Sequence, residues 1–301
     1  MWDELELRDL RVFLVLAEEL HFGRTASRLY LSQSRVSQSI RSLEARLGSR
    51  LFERTSRRVE LTPVGAEFRK QVGPAYESLR DAVMSVYERT ANRVTGVLRL
   101  GLPNPASGGP RLVEIVRRFR EANPLCEVRI VASDMLESPL QHLRQGSLDV
   151  VAFRLPLDDD DLEIGPILST ESRVLLVAAD DPLAARDWVD YDDVGERPVS
   201  RNPFFPTEMM DEFIPPITAT GRMLNRIDNV SIEQLMLRVA LGEQVHPTVA
   251  SWLEYHPHPG VKAVAIRDLP LTRTALISLR SVHSPRVTAF INAARDVLAE
   301  A

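Results

Sequence analysis

Cysteine is nearly absent from this 301-residue sequence, which contains only Cys126. A single thiol can form neither an intramolecular disulfide nor a zinc site built from cysteines alone. The sequence also lacks the uninterrupted apolar run of about 18 residues that a membrane-spanning helix needs. Its first residues, MWDELELRDL, have no basic region followed by an apolar one, as a secretory signal would. We therefore expect a cytoplasmic chain that makes no contact with a membrane.

Known catalytic and cofactor motifs are missing as well. There is no P-loop, no HExxH and no GxSxG, and the stretch GLPNPASGG is poor in glycine for a dinucleotide loop. His256 and His258 flank Pro257, but a proline-rich segment rarely presents two rings to one metal ion. We expect no cofactor, no metal site and no enzyme, although an enzyme with an unfamiliar site stays open as an alternative.

Positive charge is concentrated near the N-terminus. The net charge of the whole chain is −5. Between residues 20 and 60, nine arginines stand against three glutamates, so this stretch carries +6 and the remainder −11. A basic block on an acidic body is typical of a phosphate-binding domain joined to one that does not bind phosphate, although solvated surface can produce the same asymmetry.

The basic region has the pattern of three short helices. The apolar positions of the first are Leu10, Phe13, Leu14 and Ala17. A second runs from about residue 23 to 29, and a third begins at Gln33 after the N-cap Ser32 and ends at Gly48. The buried side of this third helix is predicted to be Val36, Ile40, Leu43 and Leu47.

Subtracting the buried side leaves polar side chains that can read base edges. These candidates are Ser32, Gln33, Ser34, Arg35, Ser37, Gln38 and Arg41. The hairpin that follows, residues 51–62, places Arg54, Arg57 and Arg58 at or near its tip, which suits a wing on the DNA backbone. An ordinary polar helix face and a solubilising turn are the structural alternatives. The short second helix, the tight turn and the basic hairpin together favour DNA binding.

The region from Leu10 to Phe68 resembles the DNA-binding domain of LysR-type transcriptional regulators. The stretches FGRTASRL, LSQS, VSQSIRSLEARLG, LFER and LTPVG match family landmarks at the family spacing. The resemblance implies that Gln33, Ser34, Ser37, Gln38 and the wing residue Arg54 contact DNA. The family often has proline where Ser34 stands and arginine where Gln38 stands, and the second difference should change operator preference.

A heptad pattern follows the hairpin. Apolar residues spaced 4, 3, 4, 3 and 4 apart are Phe68, Val72, Ala75, Leu79, Ala82 and Val86. This spacing predicts a helix that pairs with a partner helix, with a kink at Gly73 and Pro74. A helix lying on its own domain is the alternative. The family resemblance implies a dimer, and further pairing would give a tetramer.

From Val97 onward, strand and helix patterns alternate, which predicts an α/β fold with largely parallel sheets. The stretches GSLDVVAF, RVLLVAADDPLA and SPRVTAFI resemble the effector-binding domain of the same regulators, which implies two Rossmann-like lobes of periplasmic-binding-protein type. We expect a winged helix-turn-helix domain at 1–64, a dimerisation linker helix at 65–95 and an effector-binding domain at 96–301. Lobe I would take about 97–165 and 272–301, and lobe II about 166–271.

Ligands of open α/β lobes bind at the carboxyl ends of the strands. The candidate effector-binding residues at these ends are Asn104, Ser107, Asp134, Phe153, Arg154, Arg201, Asn202, Phe204 and His246. Arg154 and Arg201 would favour a carboxylate or phosphate, with Phe204 and Phe205 as apolar wall. Arginines at strand ends are more often partners in surface or interlobe ion pairs.

These patterns favour a sequence-specific transcription factor controlled by a small-molecule effector. Its expected partners are a double-stranded DNA operator, the effector, further copies of the chain in a dimer or tetramer, and RNA polymerase. A stand-alone small-molecule binding protein is the competing class, for which residues 97–301 would suffice and the basic block would be superfluous. The sequence leaves the effector, the operator and the sign of regulation open.

Overall fold

The computed structural model describes residues 6–54, 58–91, 94–132, 138–229, 231–282 and 284–300. The chain divides into two compact units, residues 1–87 with 145–147, and residues 88–144 with 148–301. Among the described residues, the structure contains no helix that is both long and apolar enough to cross a membrane.

The first unit is a small helical domain with a two-stranded hairpin. Its elements are α1 (Leu7–Glu19), α2 (Phe22–Leu29), α3 (Gln33–Leu47), β1 (Phe52–Arg54), β2 (Val59–Leu61) and α4 (Pro63–Ala91). The predicted bounds of α3 are confirmed: the Ser32 hydroxyl accepts a hydrogen bond from the Arg35 amide at 3.3 Å, and Gly48 ends the helix at φ +68°. The antiparallel pair β1 and β2 forms the predicted hairpin.

Phenylalanine rings from three elements form the centre of this unit. The Phe13 ring lies 5.5 Å from that of Phe52 and 5.1 Å from that of Phe68, measured between centroids. Phe68, predicted to lie in the heptad seam, therefore packs into its own domain, because its ring reaches the apolar cluster formed by the three short helices and the hairpin. Farther along α4, Leu79 and Val83 are 45% and 64% exposed.

Thr62 and Gly65 fix the junction between the hairpin and α4. The Thr62 hydroxyl donates to the Arg50 carbonyl at 2.8 Å and accepts from the Gly65 amide at 2.9 Å, so it caps the helix. A Cβ on Gly65 would lie 2.1 Å from the Leu51 carbonyl oxygen, which itself accepts from the Thr62 amide at 3.0 Å. The helix can begin here only because residue 65 has no side chain.

The second unit alternates strands and helices, as predicted. Its elements in the first half are β3 (Gly96–Leu102), α5 (Leu112–Ala122), β4 (Cys126–Ala132), α6 (Pro139–Arg144), β5 (Val150–Arg154), β6 (Leu162–Glu171), β7 (Arg173–Ala178), β8 (Trp188–Val189) and β9 (Val199–Arg201). The remaining elements are α7 (Thr207–Phe213), β10 (Arg226–Asp228), α8 (Ile232–Ala240), β11 (His246–Val249), α9 (Trp252–Tyr255), β12 (Val261–Ile266), β13 (Thr272–Leu279) and α10 (Pro285–Ala299).

Two mixed sheets form two lobes, and the expectation of largely parallel sheets is wrong. The first sheet has the order β4-β3-β5-β13-β6, in which β13 is antiparallel to both β5 and β6. The second has the order β11-β7-β12-β8, in which β7 is antiparallel to both neighbours. In the first sheet the physical reason is that β6 and β13 are the crossover strands between the lobes. They bring the chain out of one sheet and back without a crossover helix, and strands joined in this way need not be parallel.

Buried apolar faces hold each lobe together. In the first lobe, α5 and α10 cover the sheet, and the Phe119 and Phe290 rings meet edge to face at 5.3 Å. In the second, every residue of β7 is buried, because the strand lies at the centre of the sheet with side chains packed on both faces. β6 pairs with β13 as far as Glu171, so the first sheet extends beyond residue 165.

Replacing Gly65 with alanine tests the junction before α4. Helix propensity alone predicts that Gly65→Ala stabilises the helix and that the adjacent, exposed Ala66→Gly destabilises it by up to about 1 kcal/mol. The close Leu51 carbonyl instead predicts that Gly65→Ala also lowers the free energy of unfolding, by roughly 1–3 kcal/mol. Urea unfolding of the full chain, followed by circular dichroism, separates the two expectations. A gain in stability for Gly65→Ala would contradict the packing.

Candidate functional sites

The outer face of α3 presents the side chains that the sequence pattern predicted for it. Ser32, Gln33, Ser34, Arg35, Gln38 and Arg41 are exposed and Ser37 is half-buried, while Val36, Ile40 and Leu43 are fully buried on the opposite side. A helix face of amides, hydroxyls and guanidiniums can donate to and accept from base edges in a major groove.

Hydrogen bonds along α3 orient several of these groups. Arg35 Nη1 donates to Gln38 Oε1 at 3.1 Å, and Arg41 Nε donates to the Ser37 carbonyl at 3.3 Å. The Ser32 and Ser34 hydroxyls lie 2.9 Å apart. The side-chain oxygen of Gln38 accepts this bond from Arg35, so the side-chain N–H groups of Gln38 can donate to a partner outside the protein.

Arg54 is tied into the domain rather than extended from the hairpin. Its Nη2 lies 2.6 Å from Glu44 Oε2, and its guanidinium carbon lies 5.2 Å from the centroid of the Phe22 ring. The same Glu44 carboxylate accepts from the Leu51 and Phe52 amides at 2.9 and 3.2 Å. Glu44 thereby attaches the hairpin to α3, a role that was not predicted from the sequence.

Arg58 lies directly before β2, the second strand of the hairpin, and its side chain is 75% exposed. Its Nη2 forms an ion pair with Glu60 Oε1 at 2.6 Å. Arg57, also predicted to touch DNA, lies outside the described residues.

The α2 helix is capped by an imidazole: His21 Nδ1 accepts from the Gly23 and Arg24 amides at 3.0 and 3.2 Å. Tyr30, in the turn before α3, has φ +55° and is 96% exposed.

A cleft lies between the two lobes of the second unit. Its volume is about 740 Å³ including the open mouth. The residues that line it are Pro103, Asn104, Ser107, Phe153, Arg154, Ser200, Arg201, Asn202, Phe205, Met209, Met210, Phe213, Ile214, Asn229, Ile232, Leu235, His246, Thr248 and Trp252. A mostly apolar wall with a few polar groups is typical of a small-molecule site.

Seven of the nine predicted effector-binding residues line this cleft. They are Asn104, Ser107, Phe153, Arg154, Arg201, Asn202 and His246. Phe204 does not: it is 40% exposed, and Phe205 lines the cleft and meets Phe153 edge to face at 5.1 Å. The reason is a turn at Asn202, whose Oδ1 accepts a hydrogen bond from the Phe204 amide at 2.9 Å. After this turn it is Phe205, and not Phe204, that faces the cleft. Asp134 lies outside the described residues.

Arg154 lies at the end of β5, in the wall of the cleft. Its Nη1 donates to Thr272 Oγ1 at 2.9 Å, and its guanidinium carbon lies 3.9 Å from the centroid of the Phe213 ring. Burial and the neighbouring Arg173 lower the pKa of Arg154 to about 9, with Glu171 acting in the opposite direction. The guanidinium therefore stays charged at neutral pH in a place that disfavours its charge.

Arg173 stands behind the cleft wall and is buried, whereas Arg154 is half-buried. Its Nε donates to the Thr248 carbonyl at 3.1 Å and its Nη2 to the Phe213 carbonyl at 2.6 Å. Its guanidinium carbon, too, lies 3.9 Å from the Phe213 ring centroid. Burial lowers the pKa of Arg173 to about 10. Two arginines thus contact one phenylalanine at the C-terminal end of α7.

His246 begins β11 and is held neutral. Burial lowers its pKa to about 3, and the nearby charges of Arg173 and Arg154 act in the same direction. Its Nδ1 atom is buried and has no hydrogen-bond partner among the described residues, and its ring lies 5.7 Å from that of Trp252. A neutral imidazole contributes hydrogen bonding to the cleft but no charge.

Arg201 forms an ion pair, the alternative role predicted for an arginine at a strand end. Its Nε lies 2.8 Å from Asp228 Oδ1, across the parallel strands β9 and β10. Sequence reasoning missed the inward-facing Ser200, Asn229 and Thr248 and the rings of Phe213 and Trp252. Ser200, Asn229 and Thr248 lie in or next to short strands, and Phe213 and Trp252 lie on helices of seven and four residues. Elements this short have too few apolar positions to show which side chains face inward.

Both units of the chain are similar to known proteins. Residues 7–66 match the family model described as "Bacterial regulatory helix-turn-helix protein, lysR family", and residues 91–299 match "LysR substrate binding domain". The "HTH-type transcriptional regulator ShiR" of Corynebacterium glutamicum (strain R) is 33% identical over 192 residues, which span 64% of this chain and 64% of that regulator.

Two further proteins resemble this chain. The "Probable hydrogen peroxide-inducible genes activator" of Mycobacterium xenopi is 36% identical over 180 residues, 60% of this chain and 93% of that one. The solved structure of full-length CbnR with its target DNA has the same fold, with a TM-score of 0.62 at 20% identity, over 97% of this chain and 100% of that one. With both of its units matched by the family's models, the chain belongs to the LysR family of bacterial helix-turn-helix regulators.

Proposed function

We propose that this chain is a sequence-specific DNA-binding transcriptional regulator, and not an enzyme, whose activity is controlled by a small-molecule effector bound between the two lobes. The observation that carries the proposal is the exposed face of α3, where hydroxyl, amide and guanidinium groups stand beside the hairpin that Glu44 attaches. CbnR, which shares this fold, has been solved in complex with its target DNA, and this supports the same use of the fold here. Effector binding would shift the population between lobe arrangements that differ in DNA affinity.

The proposed division of labour follows the predicted boundaries. Residues 1–64 would bind DNA through Ser32, Gln33, Ser34, Arg35, Ser37, Gln38 and Arg41, with Arg57 and Arg58 on the backbone. Residues 65–95 would join two copies, and residues 96–301 would bind the effector. Arg54 would act first by holding the hairpin, because Glu44 already occupies its guanidinium.

We further propose a homodimer formed through α4, with tetramers arising by contacts between effector domains. Exposed Leu79 and Val83 support the pairing of α4, since apolar side chains on one side of a long helix favour a partner. The regulator would act in the cytoplasm, where the chromosome lies, through contact with RNA polymerase at the promoter.

Peroxide sensing is a second candidate, raised by the name of the Mycobacterium xenopi relative. A sensor that closes an intramolecular disulfide needs two cysteines, and this sequence has one. Cys126 is buried at 4% exposure in β4, so it is poorly placed to form a reactive thiolate. A bound small molecule is therefore the better-supported signal.

Selection of genomic fragments by the purified full-length protein tests the proposed function. Binding would be competed with excess nonspecific DNA at physiological salt, and recovered fragments sequenced. We expect enrichment of a short pseudo-palindromic motif, since two copies related by a two-fold axis place two α3 helices on one site. Absence of any enriched sequence, with and without a metabolite extract, would contradict the proposal.

Substitutions on α3 should separate sequence reading from phosphate binding. Gln33→Ala with Ser37→Ala should weaken operator binding by roughly 10-fold or more and leave nonspecific binding nearly unchanged, because base-edge contacts are lost. Arg57→Ala with Arg58→Ala should weaken binding to all sequences and flatten the salt dependence by about one unit of slope for each lost phosphate contact. Fluorescence anisotropy at several salt concentrations measures both effects. Unchanged operator binding in both variants would show that the reading surface is elsewhere.

Leu79→Asp should shift the chain from dimer towards monomer, because a carboxylate would be buried in the paired helices. The matched control, Ala66→Asp, places the same charge at an exposed position on another face of α4 and should leave the oligomeric state unchanged. Sedimentation velocity over a concentration series measures the distribution. A Leu79→Asp protein that stays as dimeric as the control would assign the dimer to other surfaces.

A further inference from the structure

The first turn of α2 lies against the first side chain of α3 at Gly23. A Cβ atom at residue 23 would lie 3.0 Å from Gln33 Nε2, closer than most Cβ atoms approach any neighbour. The φ of Gly23 is not positive, so the backbone itself does not require a glycine at this position. What Gly23 provides is room for the Gln33 amide.

The ring of His21 stands at the same point and is held in place. Its Cε1 and Nδ1 atoms would lie 3.0 and 3.2 Å from that Cβ atom. Nδ1 accepts from the Gly23 and Arg24 amides, and the His21 carbonyl accepts from the Thr25 amide and hydroxyl, both at 3.0 Å. Displacing the ring would break the cap of α2, so a methyl group at residue 23 cannot easily gain its space on that side.

The carboxamide of Gln33 has no comparable anchor. Within the described part of the chain, neither its oxygen nor its nitrogen takes part in a hydrogen bond, whereas the oxygen of Gln38 accepts from Arg35. The amide is also the far end of a flexible side chain, which can change rotamer at low cost. A methyl group at residue 23 would therefore displace the Gln33 amide rather than the His21 ring.

The orientation of this amide matters for reading a base. A carboxamide can donate to and accept from one base edge at the same time, but only when both of its polar atoms face that edge. Glutamine has many rotamers in solution, and fixing one of them on binding lowers affinity unless the free protein already restricts the side chain. Contact with the first turn of α2 supplies such a restriction to the exposed Gln33.

We propose that Gly23 is a positioning residue for operator recognition, which lets the Gln33 amide lie against α2 in the orientation that reads a base edge. This inference rests on the proposed function, in which Gln33 contacts the operator. Gly23 acts through Gln33 and touches no DNA itself. Sequence-specific binding should therefore depend on Gly23, whereas folding and binding to unrelated DNA should not.

Gly23→Ala in the full-length chain tests this role. The parent protein first selects its preferred duplex from a library of random-sequence DNA, and a scrambled duplex of the same composition serves as the nonspecific probe. We expect Gly23→Ala to bind the selected duplex roughly 3- to 10-fold more weakly and the scrambled duplex equally well. Its urea midpoint should be unchanged or higher, because alanine favours a helix more than glycine does.

Double-mutant cycles show whether Gly23 acts through Gln33. In a Gln33→Ala background, adding Gly23→Ala should weaken binding of the selected duplex by less than about 2-fold, because the displaced amide is already gone. Arg41→Ala is the matched control background, since Arg41 lies two turns farther along α3, and there the full loss should persist. Repeating the selection with Gly23→Ala should relax the same base positions as Gln33→Ala and keep the others.

The outcomes keep the two proposals apart. If the parent selects a sequence, the regulator assignment stands, and four results would then overturn the role of Gly23 alone. These are an unchanged affinity of Gly23→Ala, an equal loss in the Gln33→Ala background, an equal loss for the scrambled duplex, and a Gly23→Ala protein that is less stable or fails to fold. If the parent selects no sequence, the regulator assignment fails and the positioning role fails with it.

Discussion

The antiparallel pairing of β6 with β13 is the constraint on which the effector-binding unit depends. These two strands run side by side over most of their length, from Leu162 opposite Leu279 to Glu171 opposite Thr272. Because both lead directly into the second lobe, their register fixes where that lobe begins. Arg154, at the end of β5, lines the cleft, and Thr272, at the start of β13, accepts a hydrogen bond from its guanidinium. The pairing of β13 in the first sheet therefore also fixes the position of an arginine in the cleft lining.

Two positively charged side chains lie against one phenylalanine at this place: Arg173 is buried and Arg154 is half-buried. Arg154 and Arg173 both contact Phe213, and burial lowers the pKa of each, so the protein retains charge in an unfavourable environment. Under the proposed function, an effector would bind one arrangement of the two lobes more tightly than the others. Such a difference in affinity is what a ligand needs to shift a conformational equilibrium.

Much of the DNA-binding unit was predictable because its determinants are local. The 3.6-residue period of Val36, Ile40 and Leu43 fixes which side of α3 is buried, and Ser32 and Gly48 fix its two ends through bonds to residues within one turn. Phe68 was misassigned because its spacing fits a heptad equally well, and only the ring contact with Phe13 decides between the two. Glu44 carried no sequence signal, since its partners Leu51 and Phe52 lie seven and eight residues away.

By itself, the sequence determined the order of helices and strands, the family, and the exclusion of an intramolecular disulfide by a lone Cys126, and it predicted the strand ends at which a ligand would bind. Tertiary structure alone decided the direction of the strands, the inward turn of Phe205 in place of Phe204, and the placing of Thr248 and Ser107 in the lining of one cleft. It also decided that Arg201 is paired with a carboxylate and that, among the described residues, Arg154 is not. The reason is that periodicity and capping act over a few residues, whereas the net charge of a cavity depends on side chains brought together from distant parts of the chain.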